Sequence, residues 1–296
     1  MNWNKLGKIY SVNNDNPCLL THASNPMPIH LKDDIYRIYY SGRNKNNQSS
    51  ISYVDIDILS GKIIYDHKNT ILEYGDENSF YSHGISIGNM WEQDGNKYVG
   101  FMGWQVPNNG HWRGDIGKFD LDTKQVTIML GVSEEDKVSL SYPFVLKEDG
   151  IYKMWYGSTI DWVSPNGEMI HVIKYATSND GKIWNHKGLS IPYELGKAQA
   201  FSRPSVVKLN NKYHMWFSYR SGDGTPYRIG YAHSIDGENW EIQNSGITTS
   251  DIGWDSEMIC YPFVFEHKNN LYMLYNGNSY GKEGFGIAVS KDVSYI

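Results

Sequence analysis

Short runs rich in aromatic and β-branched residues, separated by clusters of Gly, Asn and Asp, recur along the whole chain. The stretch from Phe201 to Trp240 shows the pattern most completely, as FSRPSVVKL, KYHMWFSYR, YRIGYAHS and IDGENWEIQ. Runs of this length, rich in Val, Tyr, Phe and Trp and bounded by turn residues, predict β-strands. In KYHMWFSYR both faces carry large side chains, which predicts a strand covered on both sides. The stretch is therefore a four-stranded unit inside a larger assembly.

The same unit can be laid over four other segments of the chain. Equivalent positions at the first strand follow one another at intervals of about 60 residues, a period typical of repeat architectures. These positions are Asn25, His83, Tyr142, Arg203 and Tyr261. Radial repetition of four-stranded units protects the strand edges. The fold class that we predict is all-β, a five-bladed β-propeller with four-stranded antiparallel blades.

The closing strand of the ring is predicted at the N-terminus. Units three and four end in S-x-D-G-x-x-W, at Trp184 and Trp240, whereas unit five has no such ending, and Trp3 with the following KLG matches Trp184 with the following HKG. A β-sandwich or a two-domain chain would need a linker or a break in composition, and none is present. We therefore expect one domain, 1–296, with blades at approximately 20–68, 80–130, 138–190, 199–245, and 257–296 plus 1–12.

Composition excludes several classes of function. The chain of 296 residues has a formal net charge of −6 and no Lys/Arg cluster, which argues against a nucleic-acid partner. No apolar run approaches the length that spans a membrane, and the first residues lack the apolar segment of a signal peptide. Cys18 and Cys260 are the two cysteines, so a reducing cytoplasm is the expected location. Oligomeric state is left open.

The S-x-D-G-x-x-W endings have a sufficient structural explanation. Asp180 and Asp236 precede a glycine, which favours a hairpin turn held by Asx hydrogen bonds. We expect the tryptophans that follow to pack between blades.

The repeat-equivalent residues should meet at the axis of the ring. The innermost strands of a propeller line its central channel, so these polar and aromatic side chains are expected to surround the mouth of an axial cavity. The alternative is a plug of side chains that satisfy one another by hydrogen bonds. Because Arg203 precedes a proline, we expect its backbone to be extended.

These strand motifs, namely R-P-S-V-V, Y-x-M-W-[YF]-S and S-x-D-G-x-x-W, resemble the five-bladed propellers of glycoside hydrolase families 43, 32, 68 and 130. The resemblance implies carbohydrate chemistry performed by inward carboxylates, with an Asp directly before Pro on an early blade. This chain has Asn25, Tyr142 and Arg203 before Pro at such positions, and Glu257 is similar to the acid Glu of those families. Glycoside hydrolysis ordinarily uses two carboxylates.

The resemblance and the ring together give the candidate site. Predicted catalytic residues are Glu257, Arg203 and His83. Predicted substrate-binding residues are Asn25, Tyr142, Tyr261, Asp161, Trp104 and Trp162. Each has a structural alternative: Glu257 could pair with Arg203, His83 could be a metal ligand or a channel residue, and the tryptophans could pack between blades. The loops 104–115 and 158–169 are expected to wall the pocket.

Three functions remain open at this level. The first is an enzyme that cleaves or transfers a glycosyl group on a small soluble glycoside or activated sugar, by hydrolysis or with orthophosphate as the attacking group. The second is a non-catalytic sugar-binding propeller, and the third is a protein-interaction scaffold. A small-molecule carbohydrate is the predicted partner under the first two. No metal or cofactor is predicted, with a cation in the channel as the alternative.

Overall fold

The computed structural model describes residues 2–13, 15–107 and 110–291 and is built almost entirely of β-strands. In chain order the strands are β1 (Asn4–Tyr10), β2 (Thr21–Lys32), β3 (Ile35–Arg43), β4 (Ser49–Asp57), β5 (Lys62–Asp66), β6 (Gly84–Gln93), β7 (Asn96–Gln105), β8 (Arg113–Asp120), β9 (Val126–Leu130), β10 (Ser139–Glu148), β11 (Ile151–Asp161), β12 (Ile170–Ser178), β13 (Asn185–Leu189), β14 (Ala200–Leu209), β15 (Lys212–Arg220), β16 (Arg228–Ser234), β17 (Glu241–Gln243), β18 (Cys260–His267), β19 (Asn270–Asn276) and β20 (Phe285–Ser290). A short segment, α1 (Asn278–Gly281), separates the last two strands.

The strands pair as consecutive antiparallel units of four. Units 1 to 4 are β2 to β5, β6 to β9, β10 to β13 and β14 to β17, and unit 5 joins β18, β19 and β20 to β1. Within the described ranges this gives the five repeats that the sequence pattern predicts. The propeller fold class is therefore confirmed.

The N-terminal strand completes the last unit, as predicted. Strand β1 pairs antiparallel with β20, from Asn4 opposite Val289 to Tyr10 opposite Phe285. The backbone of β1 also resembles that of the last strand of unit 3, since Gly7 and Gly188 have φ of 102° and 93°. A side chain at either position would be strained, so both glycines let the outer strand bend at the same point of the unit.

Hydrophobic core lies between neighbouring units rather than within them. Each of five clusters of buried side chains combines residues of two consecutive units, and one of them joins Tyr272 and Leu274 of unit 5 to Ile38 and Val54 of unit 1. A unit that cannot cover its own faces is stabilised by its neighbours. The cluster between the last and the first unit shows that the ring is closed by packing as well as by β1.

The S-x-D-G-x-x-W segments form the predicted turns. Oδ1 of Asp180 accepts hydrogen bonds from the backbone of residues 182 and 183, and Asp236 does the same for residues 238 and 239. These bonds hold the pKa of Asp180 near 2, well below its usual value. Trp240 packs edge-on against Trp155 of unit 3, with ring centroids 6.0 Å apart. Both aspartates therefore act in the turns.

Candidate functional site

A bulge interrupts the first strand of four units where it reaches the axis. In units 1, 3, 4 and 5 the pairing register shifts at the residue before proline, and this residue has a positive φ of 57° in Asn25, 33° in Tyr142, 48° in Arg203 and 54° in Tyr261. Positive φ is uncommon outside glycine, and such strain is concentrated at functional sites. The expected extended backbone at Arg203 is therefore wrong. The bulge outweighs the local preference of a residue that precedes proline.

Unit 2 places glycine where the others carry a large side chain. Its register shift lies between Ile87 and Met90, which makes Gly88, and not His83, the structural equivalent of Tyr142. A Cβ atom at Gly88 would clash with the carbonyl of Pro143. His83 lies before β6, half buried, with its ring 5.7 Å from Trp104. Its placement in the predicted ring is wrong because the sequence match is five residues out of register.

Arg203 fills the axis of the propeller. The residue is 1% exposed, and its guanidinium donates hydrogen bonds to the carbonyls of Tyr261 at 2.6 Å, Pro26 at 2.9 Å, and Ile87 and Pro262 at 3.3 Å. These carbonyls belong to units 5, 1 and 2, so one side chain of unit 4 bonds to three other units. The alternative of an ion pair between Glu257 and Arg203 is wrong, because the guanidinium bonds to main-chain carbonyls and the described ion pairs do not include these two residues. The alternative of a hydrogen-bonded plug fits Arg203.

Near this plug lies a cavity of about 300 Å³ with an aromatic lining. Six aromatic side chains line it: Trp104, Trp112, Tyr142, Tyr227, Tyr261 and Tyr280. The rings of Tyr142 and Tyr261 are 5.5 Å apart. Burial raises the pKa of both phenols, so they stay protonated and able to donate a hydrogen bond. Aromatic faces combined with hydroxyl donors are suited to a sugar, which has both C–H faces and hydroxyl groups.

The loops of units 2 and 3 meet beside the cavity. Trp112, from the loop before β8, packs edge-on against Trp162 at 4.7 Å, and His111 stacks on the same indole at 4.7 Å. Met169, which follows in the second loop, lines the cavity together with Trp112. Residues 108 and 109 of the first loop lie outside the described ranges. Trp162 therefore supports a cavity residue, although it is not itself among the lining residues.

A serine–histidine pair forms part of the wall. The imidazole of His171 is 2.6 Å from Ser141 Oγ through Nε2 and 2.7 Å from Thr159 Oγ1 through Nδ1. Burial, and after it the charge of Arg220, lowers the pKa of His171 to about 3. The ring is therefore neutral at ordinary pH, and both of its nitrogens are occupied by hydroxyl groups.

Both charged side chains that line the cavity are cations. Arg43 ends β3 and Arg220 ends β15, and each lies two residues beyond the serine that faces the bulge of its unit. They are therefore structurally equivalent residues of units 1 and 4. Glu168 Oε1 is 2.8 Å from Arg220 Nη2 but is not among the lining residues.

The predicted carboxylates lie elsewhere. Glu257 is exposed, and its main chain bonds to Arg228 Nη1 at 2.8 Å and to Asn278 Oδ1 at 2.9 Å. Asp161 is also exposed, and its carboxylate caps the backbone of Val163 at 3.1 Å. Neither residue lines the cavity, whose described lining contains no Asp or Glu.

The remaining predicted residues divide into two groups. Tyr142, Tyr261 and Trp104 line the cavity, and the Trp104 indole donates to Ser49 Oγ at 3.1 Å. Asn25 is 1% exposed, and its backbone N–H donates to Asn276 Oδ1 at 2.9 Å. Asn25 is not among the lining residues, so its side chain belongs to the packed axis.

The cavity residues that sequence reasoning missed include Arg43, Arg220, His171, Tyr227 and Tyr280. A signal for the two arginines was present, because YRIYYSGR and YHMWFSYR end in Arg at the same repeat position. No comparable signal marks Tyr280. Ser279 and Tyr280 both have a positive φ, of 53° and 60° respectively. The carbonyl of Tyr280 accepts a hydrogen bond from Ser24 Oγ at 2.5 Å.

A second, larger cavity of about 600 Å³ lies at the outer part of unit 4, lined by Phe201, Phe217, Tyr219, Arg228 and the segment that follows β17. None of the bulge residues Asn25, Tyr142, Arg203 and Tyr261 is among its lining residues. Within the described residues no group of three or more His, Cys, Asp or Glu is arranged to hold a metal ion. No helix in the same ranges is long and apolar enough to cross a membrane.

Two proteins are similar in sequence to this chain over nearly its whole length. The chain is 37% identical over 299 aligned residues to two uncharacterized proteins of Mycobacterium tuberculosis, MT1551 of strain CDC 1551 / Oshkosh and Rv1502 of strain ATCC 25618 / H37Rv. The alignment covers 98% of this chain and 99% of each relative. The chain therefore belongs to the same family as these two proteins. No protein-family model matches it.

Solved structures confirm the fold class. A protein described as a glycoside hydrolase matches with a TM-score of 0.75 and 14% identity, covering 97% of this chain and 91% of its own. The α-L-arabinanase of Penicillium chrysogenum, solved with arabinobiose, matches with a TM-score of 0.60 and 13% identity over 100% of both chains. At this identity the likeness shows a glycoside-hydrolase-like propeller fold, and function has to be argued from the site.

Proposed function

We propose that this protein is a sugar-binding propeller of glycoside hydrolase fold, which binds a carbohydrate in the axial cavity without hydrolysing it by a pair of carboxylates. The observation that carries the proposal is the lining: aromatic rings, hydroxyl donors and two arginines, with Glu257 and Asp161 exposed elsewhere. Hydrolysis needs a proton donor and a base or nucleophile at about 5 to 10 Å from each other. An aromatic pocket with convergent polar groups needs neither to bind a sugar.

Substitution of Trp112 by alanine is expected to weaken sugar binding about 10-fold, because the indole offers one of the flat faces on which a sugar ring stacks. Binding can be measured by saturation-transfer difference NMR with a panel of mono- and disaccharides, followed by calorimetry on the ligands found. His111→Ala is the matched control, since His111 lies in the same loop and packs on Trp162 but does not line the cavity. Equal losses in both variants would indicate a loop effect instead of a binding face.

Glu257→Gln separates binding from catalysis. Wild type and variant are incubated with glycosides and nucleotide sugars, with and without orthophosphate, and products are followed by mass spectrometry. The proposal predicts no product from either protein and unchanged sugar binding in the variant, because the Glu257 carboxylate is exposed away from the cavity. A product formed by wild type and lost in the variant would contradict it and restore a glycosyl-transferring enzyme.

A further inference from the structure

The charge of the axial cavity is opposite in sign to that of the protein. The whole chain carries 33 acidic and 27 basic residues, yet the charged residues of the described cavity lining are Arg43 and Arg220. A concave surface of one sign concentrates ligands of the opposite sign. A purely neutral sugar would make no use of this local excess of positive charge.

Arg43 has no carboxylate to neutralise it. Its Nη1 donates to Asn47 Oδ1 at 2.7 Å, and within the described residues no Asp or Glu oxygen lies within 4.0 Å of its guanidinium. The neighbourhood is positive beyond this one residue. Burial first, and then the charges of Arg43 and Lys282, lower the pKa of nearby His22 to about 4. Arg43 thus has donors free for a ligand.

Arg220 is only partly satisfied. Its Nη2 donates to Glu168, while its Nε is buried and has no hydrogen-bond partner among the residues that the structure describes. The guanidinium carbon lies 4.9 Å from the centre of the Tyr227 ring, which holds the side chain against the cavity wall. A buried donor without a partner costs free energy, more so on a charged group. An anion in the cavity would offset the cost of burying this charged group by pairing with the guanidinium.

An oxyanion satisfies these two arginines better than a hydroxyl group does. Guanidinium groups present N–H donors in a planar fork that matches the oxygens of carboxylate and phosphate. His171 contributes no competing charge, because it is neutral and bonded to Ser141 and Thr159. The tyrosines, with their pKa values raised by burial, also act as donors. The two arginines and the protonated phenols of the described lining can therefore all donate hydrogen bonds to a ligand.

We propose that the sugar bound in the axial cavity carries an anionic group, a phosphate or a carboxylate, which contacts Arg43 and Arg220. This inference rests on the proposed function and narrows it to a class of ligand. The aromatic lining holds the sugar ring, and the arginines select for the anion.

The test compares matched ligands on the intact chain. Glucose, galactose, mannose and N-acetylglucosamine are titrated beside their 1- and 6-phosphates, the corresponding uronic acids and inorganic phosphate alone, by thermal shift and calorimetry. We expect at least one anionic sugar to bind about 10-fold or more tightly than its neutral parent. This preference should shrink as salt is raised. The phosphate and uronate arms show which anion is preferred.

Arg43→Met should reduce the preference of the anionic sugar over its neutral parent to about 2-fold or less, because the anion loses one of its two guanidinium partners. Arg43 is half exposed and has no carboxylate partner, so the variant should fold, and Arg43→Lys should recover part of the preference. Arg37→Met is the matched control, since Arg37 lies in the same strand, pairs with Asp55 at 2.8 Å and does not line the cavity.

The titrations distinguish failure of the anion inference from failure of the proposed sugar binding. Neutral and anionic sugars of equal affinity would overturn the anion inference and leave the proposed function standing. Binding of inorganic phosphate alone, with no sugar of any class bound, would overturn both, and so would the absence of all binding. A preference that persists in both Arg43→Met and Arg220→Met would also overturn the inference, because the anion would then be recognised elsewhere.

Discussion

Deletion of residues 1–12 is expected to destabilise the protein more than any single substitution. The deletion removes β1 and with it Tyr10, which is 3% exposed, Trp3, which packs edge-on against Trp216 at 5.9 Å, and the Lys5 ion pair with Asp255 at 2.7 Å. Burial of two aromatic side chains and the ladder of one strand together amount to about 6 kcal/mol. That is much of the stability of an ordinary protein, so the midpoint of thermal unfolding should fall by about 10 °C or more.

The control for this deletion is Leu6→Ser, in the same strand. Leu6 is 47% exposed, and the substitution should change the unfolding free energy by less than about 1 kcal/mol. Both proteins are compared by calorimetry and by urea titration. If the truncated chain melted within a few degrees of the intact one, the ring would not depend on β1 for closure.

Arg203→Met is the substitution with the largest expected effect on stability. Methionine fills similar space but leaves the carbonyls of Tyr261, Pro26, Ile87 and Pro262 without their donor. Hydrogen bonds from a charged group contribute about 1.5 to 3 kcal/mol each, and buried unpaired carbonyls add a cost of their own. We therefore expect a loss of about 4 kcal/mol or more, measured from urea unfolding curves.

The control for Arg203 is Arg113→Met. The side chain of Arg113 is 45% exposed and lies 3.4 Å from Asp115, so its loss should cost less than about 1 kcal/mol. An Arg203→Met protein as stable as the control would mean that the axis is held by packing alone. Full stability combined with lost sugar binding would instead make Arg203 a ligand contact.

The fold was predictable because its signals are local and repeated. Strand alternation, turn glycines and the recurrence of the unit identify the strands, and the match of the N-terminal W-x-K-L-G to the W-x-H-K-G of unit 3 predicts the closing strand. Trp184 and Trp240 lie in clusters that join two units, and the turn aspartates bond to the backbone that follows them, as predicted. Because the unit recurs along the chain, its strand order could be predicted from the copies in which the pattern is clearest.

The site was less predictable because it depends on departures from the repeat. The bulges give the residues before proline a positive φ. In unit 2 the bulge lies at Gly88, five residues after His83, so Gly88 occupies the position that the sequence match assigned to His83. Whether a side chain at the bulge fills the axis, as Arg203 does, or lines the cavity, as Tyr142 does, is decided by contacts with other units. Glu257 resembled a catalytic acid in sequence, but the segment that carries it leaves the carboxylate exposed.

Whether the axial cavity binds a sugar is tested most directly by crystallography, after soaking with the ligand that binds best in solution. We expect a sugar in the axial cavity, stacked on Trp112 or Trp104, with hydroxyl groups bonded to Tyr142 or Tyr261 and an anionic group at Arg43 and Arg220. A sugar bound in the outer cavity of unit 4, beside Phe217 and Arg228, with the axial cavity empty, would contradict this expectation.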